Sequence, residues 1–291
     1  MKTIPKWRDL IIDPFKINFK NIEINKIVSY PHAGNDVLEC IGIYDNQETS
    51  FILKIERSKM ANFSNEVKIL EKLSKKLLVP TVYEFGSHNN HKYIVLSKMT
   101  GRKLSEIHGE GIDINSYLYK YGKKLATIHG LSNITSDKAM QRVINDIPKE
   151  NEKRKFESYE LSIINYLEET KPIIDYDTFI HGDFHYGNIL WENGEISAIL
   201  DFEYSGLGFK EQDIAWSLIL RPGQKFLTTI KEVEQFLKSY KEKGDFDKDK
   251  LTWCLVNGYL HFYLMNKNSD EEEYLNILKK IISHYMKNKV N

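Results

Sequence analysis

The chain has 291 residues, and its 41 Lys+Arg are balanced by 41 Asp+Glu, so the formal net charge is zero. That balance gives no global pull toward nucleic acid or an anionic membrane, although it leaves room for a local acidic pocket. The length suits one large domain or two lobes, with enough core to hold together without disulfides.

Met1 to Asp9 mixes Lys, Arg and Trp without an apolar centre, and no apolar run in the chain reaches membrane-spanning length. The expectation is a cytoplasmic monomer with no signal peptide and no membrane or nucleic-acid partner. Residues 1–23 read as a short helix or a capping strand, broken at Asp13-Pro14. Ile24 to Tyr30, Val37 to Tyr44 and Thr49 to Ile55 read as three antiparallel strands. The turn cluster at 31–36 separates the first two, and Asp45-Asn46 the second pair. Cys40 lies in the second strand; Cys254 lies far away in another apolar segment. Both read as buried thiols rather than as a bridge.

Phe51-Ile52-Leu53-Lys54-Ile55 sets a lysine inside an apolar strand, where an unpaired charge is costly to bury. A helix is expected over Phe63 to Leu77, with Ser64 as N-cap and Val67, Leu70, Leu73 and Leu77 on one stripe. Glu66 falls in its first turn, where the helix dipole favours an acid, and Glu71 lies further along. Thr81 to Phe85 and Lys92 to Leu96 read as two more strands, with a turn over Gly86 to Asn90. Ser97-Lys98-Met99-Thr100-Gly101 follows as a reversal.

From Leu104 the period becomes helical. Tyr117 to His129 carries Leu118, Tyr121, Leu125 and Ile128 at core spacing, and His129 reads as structural. Residues 131–151 are polar and are expected to cross the surface. Phe156 to Glu169 is an amphipathic helix ended at Lys171-Pro172. Ser205 to Phe209, with two glycines, reads as a flexible turn. Ile214 to Leu220 is an apolar helix opened by Asp213. Residues 224–243, 249–265 and Glu271 to Met286 read as further helices. The acids at Asp245-Phe246-Asp247 and Asp270 to Glu273 read first as a loop and a helix N-terminus, and second as recognition of a polycation.

The most informative stretch is 179–203. The apolar pair Phe179-Ile180 runs into His181-Gly182-Asp183-Phe184-His185-Tyr186-Gly187-Asn188. A hairpin follows, Ile189 to Trp191 and Ile196 to Leu200, turning at Asn193-Gly194 and delivering Asp201-Phe202-Glu203. Asp183 and Asn188 have the Asp-x-x-x-x-Asn spacing of a kinase catalytic loop. Asp201-Phe202-Glu203 stands where protein kinases carry Asp-Phe-Gly. Phosphoryl transfer needs an acceptor for a hydroxyl proton and hard oxygen ligands for magnesium, and these residue types supply both.

The loop, the spacing and the second acid together resemble the aminoglycoside phosphotransferase and choline-kinase-like family of small-molecule kinases. The resemblance covers roughly residues 24–270, and its specific part is 179–203. It implies an α+β, bilobal, protein-kinase-like fold. The expected parts are a small antiparallel-sheet N-lobe at 1–98, a hinge at 99–103 and a mainly helical C-lobe at 104–291. It implies Asp183 as the catalytic base and Asn188 with Asp201 as magnesium ligands. Lys54 would meet the phosphates of ATP or GTP, paired with Glu66. Gly34 would lie in the loop over the phosphates, and Ser97 and Met99 at the hinge beside the adenine. Asp213 is structural, either capping its helix or anchoring the catalytic loop, and His181 orders that loop. Glu203 and His185 are candidates for contact with a hydroxylated small-molecule acceptor. An aminoglycoside-like antibiotic is the first reading of that acceptor; choline, homoserine, a methylthio-sugar or another metabolite is the second. A pseudokinase is disfavoured because the lysine, the base and both metal ligands are present. No Ala-Pro-Glu segment follows Asp201, so no protein-kinase activation segment is evident.

Overall fold

The computed structural model describes residues 8–31, 34–57, 62–140 and 146–290. The chain divides into two compact units, one of residues up to Gly101 together with Ser197–Glu203, the other of Arg102–Ile196 and Tyr204 onward.

The first unit is built on a five-stranded antiparallel sheet. Its strands are β1 (Ile22–Ser29), β2 (Asp36–Tyr44), β3 (Gln47–Ile55), β4 (Val82–His88) and β5 (His91–Ser97), in the order β1-β2-β3-β5-β4. Both tight hairpins turn on polar pairs in the left-handed region, Asp45-Asn46 at φ 51° and 62° and Asn89-Asn90 at 48° and 63°. Asn and Asp adopt that conformation more readily than other side chains, and it matches the twist of the flanking strands. The period of two sends Phe51, Leu53 and Ile55 into a fully buried cluster with Leu38, Cys40 and Val95. Each such side chain contributes about 2 kcal/mol of burial. The same alternation turns Lys54 to the opposite face, where helix α1 (Phe63–Leu73) packs on β4 and β5.

In the second unit, short strands and helices alternate before a helical array. β6 (Arg102–Lys103) leads into α2 (Leu104–Gly109) and α3 (Asn115–His129). Then come α4 (Glu150–Lys153), α5 (Ser158–Glu169), β7 (Thr178–Ile180) and the hairpin of β8 (Ile189–Glu192) and β9 (Glu195–Ile199), whose end passes into the first unit. β10 (Gly206–Gly208) precedes α6 (Lys210–Leu218), α7 (Ile230–Tyr240), α8 (Lys248–Asn266) and α9 (Glu272–Lys287). α3 packs on α7, while α8 is contacted by α5, α6 and α9. That placement explains α8: Leu251 to Leu260 is buried on every side, so the helix is apolar all round rather than striped. No helix among the described residues is long and apolar enough to cross a membrane.

Several elements depart from their sequence reading. Asp13-Pro14 does not only break structure: Asp13 caps a 3-10 turn at Pro14–Lys16, with the proline at its first position. Helix α1 is capped by Asn62, whose Oδ1 accepts from the Asn65 amide at 3.2 Å, not by Ser64. The fully buried Phe63 is the first helical residue, so the cap lies two residues before Ser64; Ile69 replaces Val67 on the inner face, and the helix stops at Leu73 rather than Leu77. The strand read as ending at Phe85 continues to His88. Residues 224–229 stay outside α7, because Thr229 and Glu232 form a capping box that fixes the helix start. Ser205 to Phe209 is not a flexible turn: its centre is β10, paired with β7 through Gly206–Ile180 and Gly208–Thr178. A Cβ on Gly206 would lie 2.4 Å from the Ala139 nitrogen, so the glycine serves close approach, not mobility. Cys40 and Cys254 are buried free thiols.

Candidate active site

In the first unit, Lys54 lies at the centre of a charge cluster. Its Nζ donates to Glu66 Oε2 at 2.7 Å and to Asp201 Oδ1 at 3.0 Å, with Glu203 Oε2 at 3.8 Å. β3 brings the lysine inward and the first turn of α1 brings Glu66. Asp201 follows β9 in the left-handed region, at φ 65°. Burial favours the neutral amine, yet Asp201, Glu66 and Glu203 outweigh it and raise the Lys54 pKa above its ordinary value. Glu66 is fully buried, and burial raises its carboxyl above the usual range against the pull of Lys54. Glu203 is pushed up to about 7, by burial first, with Lys54 opposing and Asp201 and Glu66 adding to the rise.

Among the described residues, Glu66, Asp201 and Glu203 are a group of acids with oxygens within 4.8 Å of one another. The cation they surround is the Lys54 ammonium. Of the three, Asp201 keeps the open side chain, 37% exposed against 1% for Glu66 and 7% for Glu203. The substrate contact expected of Glu203 is therefore not what its geometry offers. Its carboxylate is buried and accepts from Asn35 Nδ2 at 2.9 Å. Asn35 also accepts from the Arg57 amide through Oδ1 at 3.2 Å, so its side chain bonds both to Glu203 and to the segment that follows β3. Next to it, the fully buried Asp36 carboxylate meets Arg57 Nε at 2.8 Å, Arg8 Nη2 at 3.0 Å and the Ile11 amide at 2.9 Å.

Gly34 is exposed, a Cβ there would meet nothing within 4 Å, and its carbonyl accepts from Arg8 at 3.2 Å. Glycine is thus not required at that position by crowding. His32 and Ala33 of the same loop lie outside the described residues. Ser97 closes β5, and both its amide and its hydroxyl are committed to Thr81, at 2.8 Å each. Met99 follows, half-buried, with its sulfur 3.7 Å from the Ser97 hydroxyl.

The second unit holds the His181–Asn188 loop. Asp213, in the first turn of α6, accepts from the His181 amide at 2.8 Å and the Gly182 amide at 3.0 Å. It anchors the loop; it does not cap the helix, whose N-cap is Phe209. His129 Nε2 lies 3.2 Å from the same carboxylate and its Nδ1 2.6 Å from the Tyr240 hydroxyl, in agreement with a structural histidine. Burial works against the Asp213 charge, but the His129 hydrogen bond, His181 and the loop amides hold the carboxyl below its ordinary range. Gly182 sits at φ 77°, and a Cβ there would lie 2.5 Å from the Tyr204 carbonyl, so no other residue fits this turn without strain.

Above that anchor, Asp183 is oriented by neutral donors. The Trp216 indole N–H donates to Oδ1 at 2.8 Å, and Asn188 Nδ2 donates to Oδ2 at 3.2 Å and to the Asp183 carbonyl at 3.0 Å. With its nitrogen committed to Asp183, the Asn188 amide turns its oxygen the other way. His185 caps the 3-10 turn Tyr186–Asn188 by accepting from the Gly187 amide on Nδ1 at 3.1 Å. That contact assigns a neutral ring its proton on Nε2, which lies 3.7 Å from Asp183 Oδ1. Phe184 stacks on Tyr121 with centroids 4.9 Å apart.

The structure thus gathers Lys54, Glu66, Asp201 and Glu203 in one unit, and Asp183, Asn188 and His185 in the other. Sequence reading missed Asn35 and the carboxylate-orienting role of Trp216. The second left a trace, since Asp213 and Trp216 stand three apart on one helix and so share a face. The acids near the C-terminus serve the fold: Asp247 caps α8, Asp245 pairs with Lys210, and Glu272 and Glu273 open α9.

Residues 42–253 match the sequence model of the phosphotransferase enzyme family. A probable aminoglycoside 3'-phosphotransferase of Lactococcus lactis is 23% identical over 276 residues, covering 81% of this chain and 97% of that one. The amicoumacin kinase of Bacillus subtilis is 26% identical over 207 residues, covering 62% and 60% of the two chains. A thermostable mutant form of the aminoglycoside phosphotransferase APH(4)-Ia, in ternary complex with ADP and hygromycin B, superposes with a TM-score of 0.62 at 12% identity, over 91% of this chain and 94% of that one. At that identity the likeness speaks for the fold, which is the protein-kinase-like fold of small-molecule kinases. With nearly three-quarters of its length matched by the family, the chain belongs to the phosphotransferase enzyme family and is a small-molecule kinase.

Proposed function

We propose that the protein transfers the γ-phosphoryl group of ATP or GTP to a hydroxyl of a small molecule, with an aminoglycoside-like antibiotic as the first acceptor class. The observation that carries this reading is the Lys54 ammonium held between Glu66 and Asp201, 12 and 147 residues away in the chain. A lysine fixed in this way is the phosphate-facing group that phosphoryl transfer uses. The nucleotide of the superposed APH(4)-Ia complex and the names of the relatives support the same assignment. The amicoumacin kinase among those relatives keeps other hydroxylated acceptors in view.

In this reading Asp183 orients the acceptor hydroxyl and takes its proton. The acceptor oxygen bonds to the γ-phosphorus while the bond to the bridging oxygen breaks, and the nucleoside diphosphate leaves with that electron pair. Trp216 and Asn188 fix the Asp183 carboxylate in one rotamer, and their neutral donors leave it able to accept a proton. Asp213 holds the loop from beneath through two backbone amides. The half-exposed Asp201 carboxylate and the free oxygen side of Asn188 are hard donors that fit magnesium, which supplies neutralisation of phosphate charge when bound. Glu66 and Glu203 position Lys54. Asn35 steadies the loop that contains Gly34. Ser97 belongs to the sheet through its amide and hydroxyl, so Met99 is the better hinge contact. The test is release of ADP or GDP on a panel of hydroxylated amines and sugars, with and without magnesium. Magnesium-dependent release with at least one acceptor is expected. Nucleotide binding without release across the panel would favour a pseudokinase.

A further inference from the structure

Helix α3 serves the second unit through two faces. Through Tyr121 it supports the catalytic loop: the ring stacks on Phe184 at 4.9 Å, and the hydroxyl donates to the Phe184 carbonyl at 3.3 Å. A neighbouring face carries Lys120, Lys123 and Lys124, which the i, i+3, i+4 spacing sets side by side. These three lysines, Lys243 after α7 and Glu195 at the start of β9 line a cavity of about 250 Å³. One water needs less than about a tenth of that space. Its walls are set by the close packing of α3 on α7 and on the segment after α7. A Cβ on Gly122 would lie 2.3 Å from the Phe236 carbonyl oxygen, and one on Gly244 would lie 3.4 Å from the Ala126 side chain.

The charges of this cavity do not balance. Lys120 is held by the Glu195 carboxylate and by the Gly194 carbonyl, the latter at 2.7 Å. Lys123 pairs at 3.0 Å with Glu242, which also accepts from the Tyr119 hydroxyl. Lys124 is half-buried and Lys243 exposed, and among the described residues neither has a carboxylate at ion-pair distance. Burial works against the Lys124 ammonium and lowers its pKa, with Glu195 alone opposing. Lysines gathered around one concave space repel one another, and a half-buried one is costly without a counter-charge. An ammonium is a compact point charge with three donors, so several of them suit a small anion with several acceptor oxygens. A phosphoryl dianion has that form, whereas a carboxylate brings one charge and two oxygens. We propose that this cavity binds a phosphoryl dianion, with Lys124 and Lys243 as its main ligands and Lys120 and Lys123 as flanking charges. The site shares no residue with the Lys54 cluster or the Asp183 loop, so it does not rest on the phosphotransfer reading.

The experiment uses the full chain, saturated with AMP-PNP and magnesium so that phosphate is kept from the nucleotide site. Inorganic phosphate, glycerol 2-phosphate and acetate are titrated calorimetrically in sodium chloride at about physiological ionic strength. At least one of the two phosphates is expected to bind with a Kd of about 1 mM or tighter, and at least ~10-fold more tightly than acetate. The tighter of the two identifies the source as the free ion or a phosphomonoester. Lys124→Gln is expected to weaken that binding at least ~10-fold and Lys243→Gln about threefold, each with its urea midpoint unchanged. Glu195→Gln removes the competing carboxylate and releases Lys120, so affinity should rise about threefold, a gain that no folding defect produces. No binding of either phosphate at about 10 mM, acetate binding as tightly as phosphate, or full affinity in Lys124→Gln would each overturn the proposal. So would tighter binding of a short single-stranded DNA that is lost in the same variants, since the lysines would then be a nucleic-acid contact. Failure of AMP-PNP to bind would count against the phosphotransfer reading alone, because the lysine variants report on the cavity directly.

Discussion

Around Lys54, one ammonium and three carboxylates compensate one another over 2.7 to 3.8 Å. Around Asp183, an indole N–H and a carboxamide hold the acid at 2.8 and 3.2 Å. Both clusters fix their side chains, but they treat charge differently. The first stores it: the pair Lys54–Glu66 is almost out of water, so removing either partner strands the other. In the second, the indole and carboxamide donors are themselves neutral, so these two contacts orient the Asp183 carboxylate without adding positive charge, which suits a group that must accept a proton. The expected consequence is that variants in the first cluster change stability and nucleotide binding together. Variants in the second should change turnover with the nucleotide still bound.

The sharpest way to break that contrast is Asp183→Asn. It keeps the size and the Trp216 contact but removes the proton acceptor, and turnover should fall about 10³-fold or more. Nucleotide affinity, measured by titration calorimetry, should stay within roughly threefold. Near-normal turnover would remove Asp183 from the chemistry. Lys54→Met is next. Three carboxylates would face one another without their cation, so urea unfolding at neutral pH should show a loss of about 3 kcal/mol. Turnover should fall about 10²-fold with weakened nucleotide binding. A stable Lys54→Met protein with intact nucleotide affinity would deny the coupling of charge storage to binding.

Asp213→Asn probes how the loop is supported. Both backbone amides lose a charged acceptor and one of them loses its acceptor oxygen altogether, so a stability loss of about 2 kcal/mol is expected by urea denaturation. The same residue gives the contrast a pH dependence. Asp213 and Asp36 both have carboxyls below their ordinary value, against the cost of burial: His129 with the His181 amide holds the first, and Arg57, the Ile11 amide and Tyr30 hold the second. As pH falls, the unfolded chain takes up these protons before the folded one does. Their contribution is present above the ordinary aspartate range, near pH 4, and is lost as pH falls through the lower folded values. The urea midpoint should drop below about pH 4, and the drop should be shallower in Asp213→Asn and Asp36→Asn. The smallest expected effect is that of Glu203→Gln. Its carboxylate is the most distant of the three around Lys54, so turnover should change by only a few-fold, about one pairwise interaction at the weak end of the scale.

Much of this was legible in the sequence. The five strands, Lys54 in the third and Glu66 in the first turn of the next helix follow from alternation and from a lysine that could not be buried alone. Asp183, Asn188 and Asp201 are marked by spacing. Contacts without a period were not legible. Asn35 meets Glu203 across 168 residues, and no pattern in either segment names the other. Trp216 lies in a segment marked in the sequence only as an apolar helix; the folded chain alone shows its N–H on Asp183. Gly206 and Gly208 suggested mobility, since a glycine looks the same whether it frees a turn or admits a neighbour. The neighbours decided it, Ala139 for one and Ile180 for the other. Ser64 was read as the cap on residue type alone, and the burial of Phe63 within the helix puts the cap at Asn62.

The most direct test is a crystal structure of the protein with magnesium and a non-hydrolysable nucleoside triphosphate. One cation is expected, bonded to the Asn188 amide oxygen and an Asp201 carboxylate oxygen at about 2.1 Å, with Lys54 on the phosphates. A cation seated instead between Glu66 and Glu203, with Lys54 displaced and Asn188 untouched, would contradict it.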